Sequence, residues 1–136
     1  MSDLSRPPRP VYRNINITQI AGYRLPLSGI ISILHRISGA LLFLLLPFVL
    51  WLLDKSLTSE LSFGIFKSVV SNWFAKLVLL ALLWAYLHHF FAGLRHLLMD
   101  VHLGVEKDTG RQTAAAVFVV SLVLWVAIAL KLIGAF

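Results

Sequence analysis

Three long stretches of this chain carry no Asp, Glu, Lys or Arg, and they constrain its fold more than any other feature. They span residues 37–53, 77–94 and 112–130. Each approaches the roughly twenty residues that an α-helix needs to cross the ~30 Å hydrocarbon core of a bilayer. A helix also satisfies its backbone hydrogen bonds internally, as a lipid-embedded segment requires. We therefore predict an all-α integral membrane protein with three transmembrane helices.

The composition supports a membrane protein and excludes several other classes. Of the 136 residues, 59% are hydrophobic and 13% are charged, which is too apolar for an ordinary soluble domain. The net charge of +6 is spread along the chain without a Lys/Arg-rich block, which argues against a nucleic-acid partner. The chain has no cysteine, so it cannot supply disulfides, thiolate ligands or iron–sulfur cluster ligands. Any metal must therefore be bound by histidine.

We divide the chain into an N-terminal arm with an interfacial entry, residues 1–29, and a three-helix transmembrane domain, residues 30–136. The Arg and Pro residues among the first twenty favour an extended, solvent-facing arm, and Pro26 is suited to open the first helix. The arm lacks the apolar core of a secretory signal, so we expect it to be retained. The transmembrane helices are expected at about 30–53, 66–99 and 113–133.

The Lys and Arg residues predict the orientation in the membrane. Eight lie in the N-terminal region or near the second loop, and four lie on the other side. By the positive-inside rule, the N-terminus is cytoplasmic and the C-terminus periplasmic. No mitochondrial presequence pattern precedes the spans, so a bacterial inner membrane is the expected location. The eight are Arg6, Arg9, Arg13, Arg24, Arg36, Arg95, Lys107 and Arg111, and the four are Lys55, Lys67, Lys76 and Lys131.

Two adjacent histidines, His88 and His89, lie within the second apolar stretch, where an imidazole is costly unless something binds it. Residues seven apart return to nearly the same helix face, so His89 and His96 share a stripe with small residues around it. The stripe suits a flat ligand: His89 would supply one axial nitrogen to the iron of haem b. Ala85 and Gly93, one turn away on either side, would let a porphyrin approach the helix.

A haem b held between two helices needs a second axial ligand. His35 and His96 are expected one to two turns nearer the cytoplasm, and His102 lies in or beside a loop. We therefore infer that a partner chain supplies the second histidine. The alternative is that the intramembrane histidines only make hydrogen bonds within a helical bundle. For His88, rotated by about 100° from His89, this alternative is the preferred interpretation.

Ser32 and Arg36 are four residues apart in the first helix, so a hydroxyl and a guanidinium share one face. Together they can hold the carbonyl head group of a quinone at the membrane edge. His35 and Arg36 can also bind haem propionates, because cations and carboxylates attract strongly where water is scarce. The alternative is that both side chains only reach toward the lipid phosphates.

Two motifs resemble the cytochrome b large membrane-anchor subunit of succinate dehydrogenase, also called succinate:quinone oxidoreductase or complex II. They are Ser32-Ile-Leu-His-Arg-Ile-Ser-Gly39 in the first helix and His89-x3-Gly-x-Arg-His-x3-Asp100 in the second. The three spans also occur in the family's order. The arm lacks the Ser-Pro-His segment of the mitochondrial form, so the chain looks like the proteobacterial type.

The resemblance implies that this chain is one of two membrane anchors, with no complete active site of its own. FAD and the iron–sulfur clusters would lie in a flavoprotein subunit and an iron–sulfur subunit, and haem b would be shared with a small anchor subunit that supplies the second histidine. His89 looks like the axial ligand, and Ser32 and Arg36 fall on the family's ubiquinone positions. The residues that fall near the haem propionates are His35, Arg36 and His96.

Other functional classes stay open on the residues alone. One is a non-redox membrane adaptor or small helical transporter with structural histidines. Another is a stand-alone haem b electron carrier. Three spans with few polar faces disfavour a transport pathway, and the missing second ligand disfavours the carrier.

Overall fold

The computed structural model of this chain describes residues 16–22 and 24–134, so most of the predicted arm lies outside the described residues. This part of the chain is all-α, without a strand, and three of its helices are long and apolar enough to cross a membrane. The predicted fold class and the three spans are therefore confirmed. The helices are α1 (Ile17–Gly22), α2 (Leu27–Leu57), α3 (Glu60–Ser71), α4 (Trp73–Asp100) and α5 (Lys107–Gly134).

The long helices α2, α4 and α5 pack against one another, and α4 contacts both of the others extensively. Small side chains dominate these contacts: Ala85 and Ala92 of α4, and Ala114 of α5, are fully buried. In a bilayer the hydrophobic effect does not drive helices together, because lipid tails are as apolar as the side chains. Small residues let helix backbones approach closely, so van der Waals packing stabilises the contact instead. A core of Ile31, Ala92, Ala114 and Val117 thus holds the three spans together.

Most large apolar side chains of the three spans point outward. Phe43 and Leu44 of α2 are 75% and 69% exposed, and Leu130 of α5 is 66% exposed. Such surfaces would cause aggregation in water, whereas in a bilayer they face acyl chains. The exposed surface therefore agrees with a multi-pass membrane protein.

The sequence predicted one helix at about 66–99, and this prediction is wrong because the region forms two helices. The structure divides this region at Asn72, whose side-chain oxygen accepts hydrogen bonds from the backbone N–H groups of Phe74 and Ala75 and so caps α4. The preceding helix α3 begins with a capping box, in which Ser59 and Ser62 satisfy each other's backbone N–H groups. The apolar pattern runs through both helices, so it hides the break.

The other boundaries differ by smaller amounts. Residues 17–20 form part of the short helix α1 rather than an extended arm. Helix α2 begins directly after Pro26, as the position of this proline indicated. Helix α5 begins at Lys107, about two turns before the predicted start, because the polar residues after it still continue the helix. Two residues with positive φ, His102 and Gly104, reverse the chain between α4 and α5.

One backbone carbonyl joins all three spans at their predicted cytoplasmic end. The carbonyl oxygen of Gly110 in α5 accepts hydrogen bonds from Ser28 Oγ of α2 at 3.1 Å, from Arg95 Nη2 of α4 at 3.2 Å and from Thr113 Oγ1 at 3.3 Å. Arg95 is buried, and its Nε also donates to Thr113 Oγ1 at 3.1 Å. Among the described residues, Arg95 forms no salt bridge with Asp100 at the end of the same helix. Arg95 instead fixes α4 to α5 through two hydrogen bonds.

The Arg95→Lys substitution tests this junction. Lysine keeps the buried charge but lacks the planar fork that reaches both acceptors, so we expect a loss of about 1–2 kcal/mol in stability. The measurement is the thermal unfolding midpoint of the purified, detergent-solubilised assembly. Arg111→Lys is the matched control, because Arg111 is exposed and directly follows Gly110, whose carbonyl Arg95 binds. Equal midpoints for both variants would contradict the role of Arg95.

Candidate functional site

Three histidines from α2 and α4 lie together near one edge of the helix pair. The rings of His35 and His89 stack with their centroids 4.1 Å apart and their planes 13° from parallel. The ring of His96 lies 5.1 Å from that of His35, tilted by 47°. All three are only partly buried. The structure thus brings together three of the residues that the sequence singled out, on a surface open to a neighbour.

His89 has a defined hydrogen-bonding state. Its Nδ1 lies 3.0 Å from the backbone carbonyl oxygen of His35, and since a carbonyl only accepts, Nδ1 carries the proton. The Nε2 atom of a neutral ring then keeps its lone pair. Histidines that bind metals are typically oriented by such a bond from the other ring nitrogen.

In each helix of this pair, a glycine packs against a histidine of the other helix. A Cβ atom at Gly39 of α2 would lie 2.8 Å from Cε1 of His89, and a Cβ atom at Gly93 of α4 would lie 3.5 Å from Nε2 of His35. The first distance would force the His89 ring to shift, whereas the second is an ordinary contact. The His-x3-Gly pattern on both antiparallel helices therefore makes a reciprocal contact, and the contact at Gly39 is the tighter of the two.

Two details of the expected haem surface differ in the structure. Ala85 is fully buried in the contacts among the spans, so it presents no open face to a flat ligand, whereas Gly93 is only partly buried beside His35. His35 also lies beside His89 rather than one to two turns away. The small residues of α4 thus serve helix packing, a role that the apolar pattern alone could not separate from ligand access.

The neighbouring histidine His88 has a different environment. It is fully buried and stacks on Trp84 at 5.2 Å. Neither ring nitrogen makes a hydrogen bond of good geometry in the described part of the chain, although the backbone of Ile31 lies close to the ring. His88 therefore packs inside the helix bundle.

Ser32 and Arg36 lie one turn apart on α2, on either side of His35 in the sequence. Ser32 is half-buried and Arg36 is exposed. The hydroxyl and the guanidinium make no hydrogen bond with other described residues, so both are available to a ligand or to lipid.

Ser38 is a site residue that the sequence reasoning missed. It is fully buried, its hydroxyl donates to the His35 carbonyl at 2.9 Å, and its Oγ lies 3.4 Å from His89 Nδ1. A signal was present, because Ser38 follows His35 by three residues and so can reach that carbonyl. Its helical position alone did not reveal that His89 would share the same acceptor.

The residues present fit a haem better than an isolated metal ion. No group of three or more His, Cys, Asp or Glu side chains among residues 16–22 and 24–134 converges as a metal site. The rings of His35 and His89 lie in nearly parallel planes, so their lone pairs do not converge on one ion. His89 alone offers an oriented Nε2, which is the donor that an axial haem ligand needs. His35 and His96 add further imidazoles close by.

Comparison with known proteins identifies the family. The family described as succinate dehydrogenase/fumarate reductase transmembrane subunit matches residues 5–128. The chain belongs to this family. The resemblance stated from the two motifs is therefore confirmed, and membership disfavours the adaptor and transporter alternatives.

Individual relatives agree with this assignment along most of their length. The succinate dehydrogenase cytochrome b556 subunit of Paracoccus denitrificans is 34% identical over 124 residues, which cover 91% of this chain and 92% of the relative. The subunit of the same name from Coxiella burnetii (strain RSA 493 / Nine Mile phase I) is 40% identical over 116 residues, covering 85% and 89%. The cytochrome b560 subunit of Reclinomonas americana is 32% identical over 128 residues, covering 87% and 85%.

The substitutions Gly39→Ala and Gly93→Ala test the reciprocal contact in this family member. We expect Gly39→Ala to destabilise the purified assembly by about 1–3 kcal/mol, because the new methyl group overlaps the His89 ring. Gly93→Ala should be close to neutral, since its methyl group fits at van der Waals distance and alanine favours the helix. Thermal unfolding midpoints measure both. A Gly93→Ala variant as unstable as Gly39→Ala would show that the asymmetry is wrong.

Proposed function

We propose that this chain is the large membrane anchor of a succinate:quinone oxidoreductase, that His89 binds the iron of a haem b, and that Ser32 and Arg36 form part of a ubiquinone-reduction site. The family match carries the assignment as a transmembrane subunit. The state of His89, with Nδ1 donating to a backbone carbonyl, carries the haem proposal.

The haem proposal rests on how neighbouring residues orient the His89 ring and leave its Nε2 atom unprotonated. The bond to the His35 carbonyl orients the His89 ring, Ser38 supports the same carbonyl, and Gly39 makes room for the ring. Haem b, when bound, accepts and returns single electrons. Several relatives are named cytochrome b556 subunits, which supports the same cofactor here. His35 and His96 are then suited to hold the propionates, together with Arg36.

The second axial ligand would come from the small anchor subunit. His35 is the nearest histidine of this chain to His89, but the two rings lie face to face at 4.1 Å. Because the two rings stack, His35 and His89 would not both bind one haem iron, and a histidine of the partner subunit would complete the ligand set.

The quinone proposal rests on the polar face at the start of α2. Ser32 would donate a hydrogen bond to a carbonyl oxygen of ubiquinone, and Arg36 would stabilise the negative charge that develops there on reduction. Both groups lack a hydrogen-bond partner among the described residues, so a quinone does not have to displace one. Protons would reach the site from the nearby aqueous surface.

The remaining assignments follow from the topology. Three spans would put the two termini on opposite sides of the membrane, and because most Lys and Arg residues lie on the N-terminal side, that side would be cytoplasmic in a bacterial inner membrane. The flavoprotein subunit, with FAD, and the iron–sulfur subunit would dock there. Electrons from succinate would thus arrive on the side where Ser32 and Arg36 lie.

Substitution of each adjacent histidine by alanine tests the haem proposal. We expect His89→Ala to lose most of the Soret absorption of the purified assembly, because the axial nitrogen is gone. His88→Ala should retain the haem, because His88 is buried on another face of α4. If His88→Ala also loses haem, His88→Phe separates packing from ligation: phenylalanine restores the ring but no nitrogen. Loss of haem in both His88 variants would overturn the assignment to His89.

Ser32→Ala and Arg36→Ala test the quinone proposal. Each should slow succinate-driven ubiquinone reduction by roughly tenfold to a hundredfold, as expected for a lost hydrogen bond or charge that stabilises the reduced carbonyl. Reduction of a soluble dye by the flavoprotein subunit should stay at the wild-type rate. If dye and quinone reduction fall together, the two residues act in assembly rather than in quinone chemistry.

A further inference from the structure

Ser38 of α2 is a polar residue that the helix bundle buries completely. Its hydroxyl donates a hydrogen bond to the backbone carbonyl of His35 at 2.9 Å. Serine often satisfies its hydroxyl in this way within a helix, by binding a carbonyl three or four residues earlier, so burial alone gives Ser38 no particular role. Ser38 differs from an ordinary buried serine because His89 Nδ1 donates to the same carbonyl, at 3.0 Å.

The carbonyl oxygen of His35 is therefore shared by three donors. Besides the Ser38 hydroxyl and His89 Nδ1, it is the helical acceptor of the Gly39 N–H, because α2 is continuous here and a helical carbonyl accepts from the residue four positions later. A carbonyl oxygen has two lone pairs, so each donor reduces the electron density available to the other two. The Ser38 hydroxyl thus weakens the hydrogen bond of His89.

A second contact of Ser38 acts on His89 in the opposite direction. Ser38 Oγ lies 3.4 Å from His89 Nδ1, so its own lone pairs can accept from the same N–H. This distance is long for a hydrogen bond, whereas the 2.9 Å contact with the carbonyl is close to the preferred length. The shorter contact decides the sign. The net effect of Ser38 is that the Nδ1 proton is held less strongly by α2.

The strength of the Nδ1 hydrogen bond controls the donor strength of the other ring nitrogen. When Nδ1–H donates strongly to an oxygen, the ring becomes more basic, and a histidine that binds a metal then gives more electron density through Nε2. A more basic axial nitrogen stabilises oxidised iron more than reduced iron, because the oxidised iron carries the greater positive charge. Hydrogen bonding of this kind is one of the means by which a protein sets a haem potential.

We propose that Ser38 is a positioning residue that acts through His89 and keeps the haem easier to reduce, by competing with His89 for the His35 carbonyl. This role rests on the proposed function, in which His89 is the axial ligand. Ser38 therefore adds a means of adjusting the electron affinity of the haem that lies inside this chain.

The substitution Ser38→Ala tests this role by potentiometric titration of the haem absorption in the purified assembly. Loss of the hydroxyl leaves more of the carbonyl to His89, so the balance between oxidised and reduced haem should shift about threefold to tenfold toward the oxidised form. This shift is a fall in potential of about 30–60 mV, at 59 mV per decade for one electron. Ser38→Cys should give a smaller fall, because a thiol is a weak donor.

Ser121→Ala is the matched control. Ser121 is also fully buried, and its hydroxyl donates to the carbonyl of Phe118, three residues earlier, at 3.0 Å. It lies in α5, and no described histidine shares its acceptor. This variant loses the same kind of hydrogen bond from the bundle, so its haem should keep the wild-type potential.

Several results would overturn the role of Ser38. They are an unchanged or raised potential in Ser38→Ala, an equal fall in Ser121→Ala, and loss of the haem from Ser38→Ala. Haem loss would mean that the hydroxyl holds the His89 ring rather than competes with it. Failure of the proposed function has a different signature, because the Soret absorption would then survive His89→Ala. The potential is measured at equilibrium and needs no quinone turnover.

Discussion

The close approach of α2 and α4 at Gly39 is the constraint on which the histidine site depends. Only glycine lets the His89 ring lie against α2, where a Cβ atom would be 2.8 Å from Cε1. At that distance Nδ1 reaches the backbone carbonyl of His35, and the rest of the site follows: a fixed ring, a defined tautomer and a free Nε2. In hydrocarbon such an arrangement is needed, because a polar ring without a partner is costly there.

A second polar contact fixes the same helices at one end. The Gly110 carbonyl accepts from Ser28, Arg95 and Thr113, so one oxygen joins α2, α4 and α5. Between this junction and Gly39, the buried small side chains of α4 and α5 keep the backbones close. The helix pair is thus held by two polar contacts with a tightly packed layer between them, which limits how far His89 can shift relative to Ser32 and Arg36.

The site also shows why this chain does not act alone. His35, His89 and His96 are only partly buried within the chain, so their rings lie on a surface open to another subunit. The family to which the chain belongs consists of transmembrane subunits of larger enzymes, and partly exposed histidines at one edge agree with that. At the opposite end, α3, α4 and α5 line a separate, largely apolar groove.

The sequence by itself determined the all-α class, the three spans and the family, and it singled out His35, His89 and His96, because charge-free runs and residue spacing along one helix are local properties. It did not reveal the break at Asn72, since the apolar pattern continues across it while the cap is a local polar contact. Only the tertiary structure decided that Gly39 faces His89, that Ser38 supports the same carbonyl and that Ala85 is buried. These facts depend on how two helices approach each other, and helical periodicity gives the face of a residue but not the partner that the face meets.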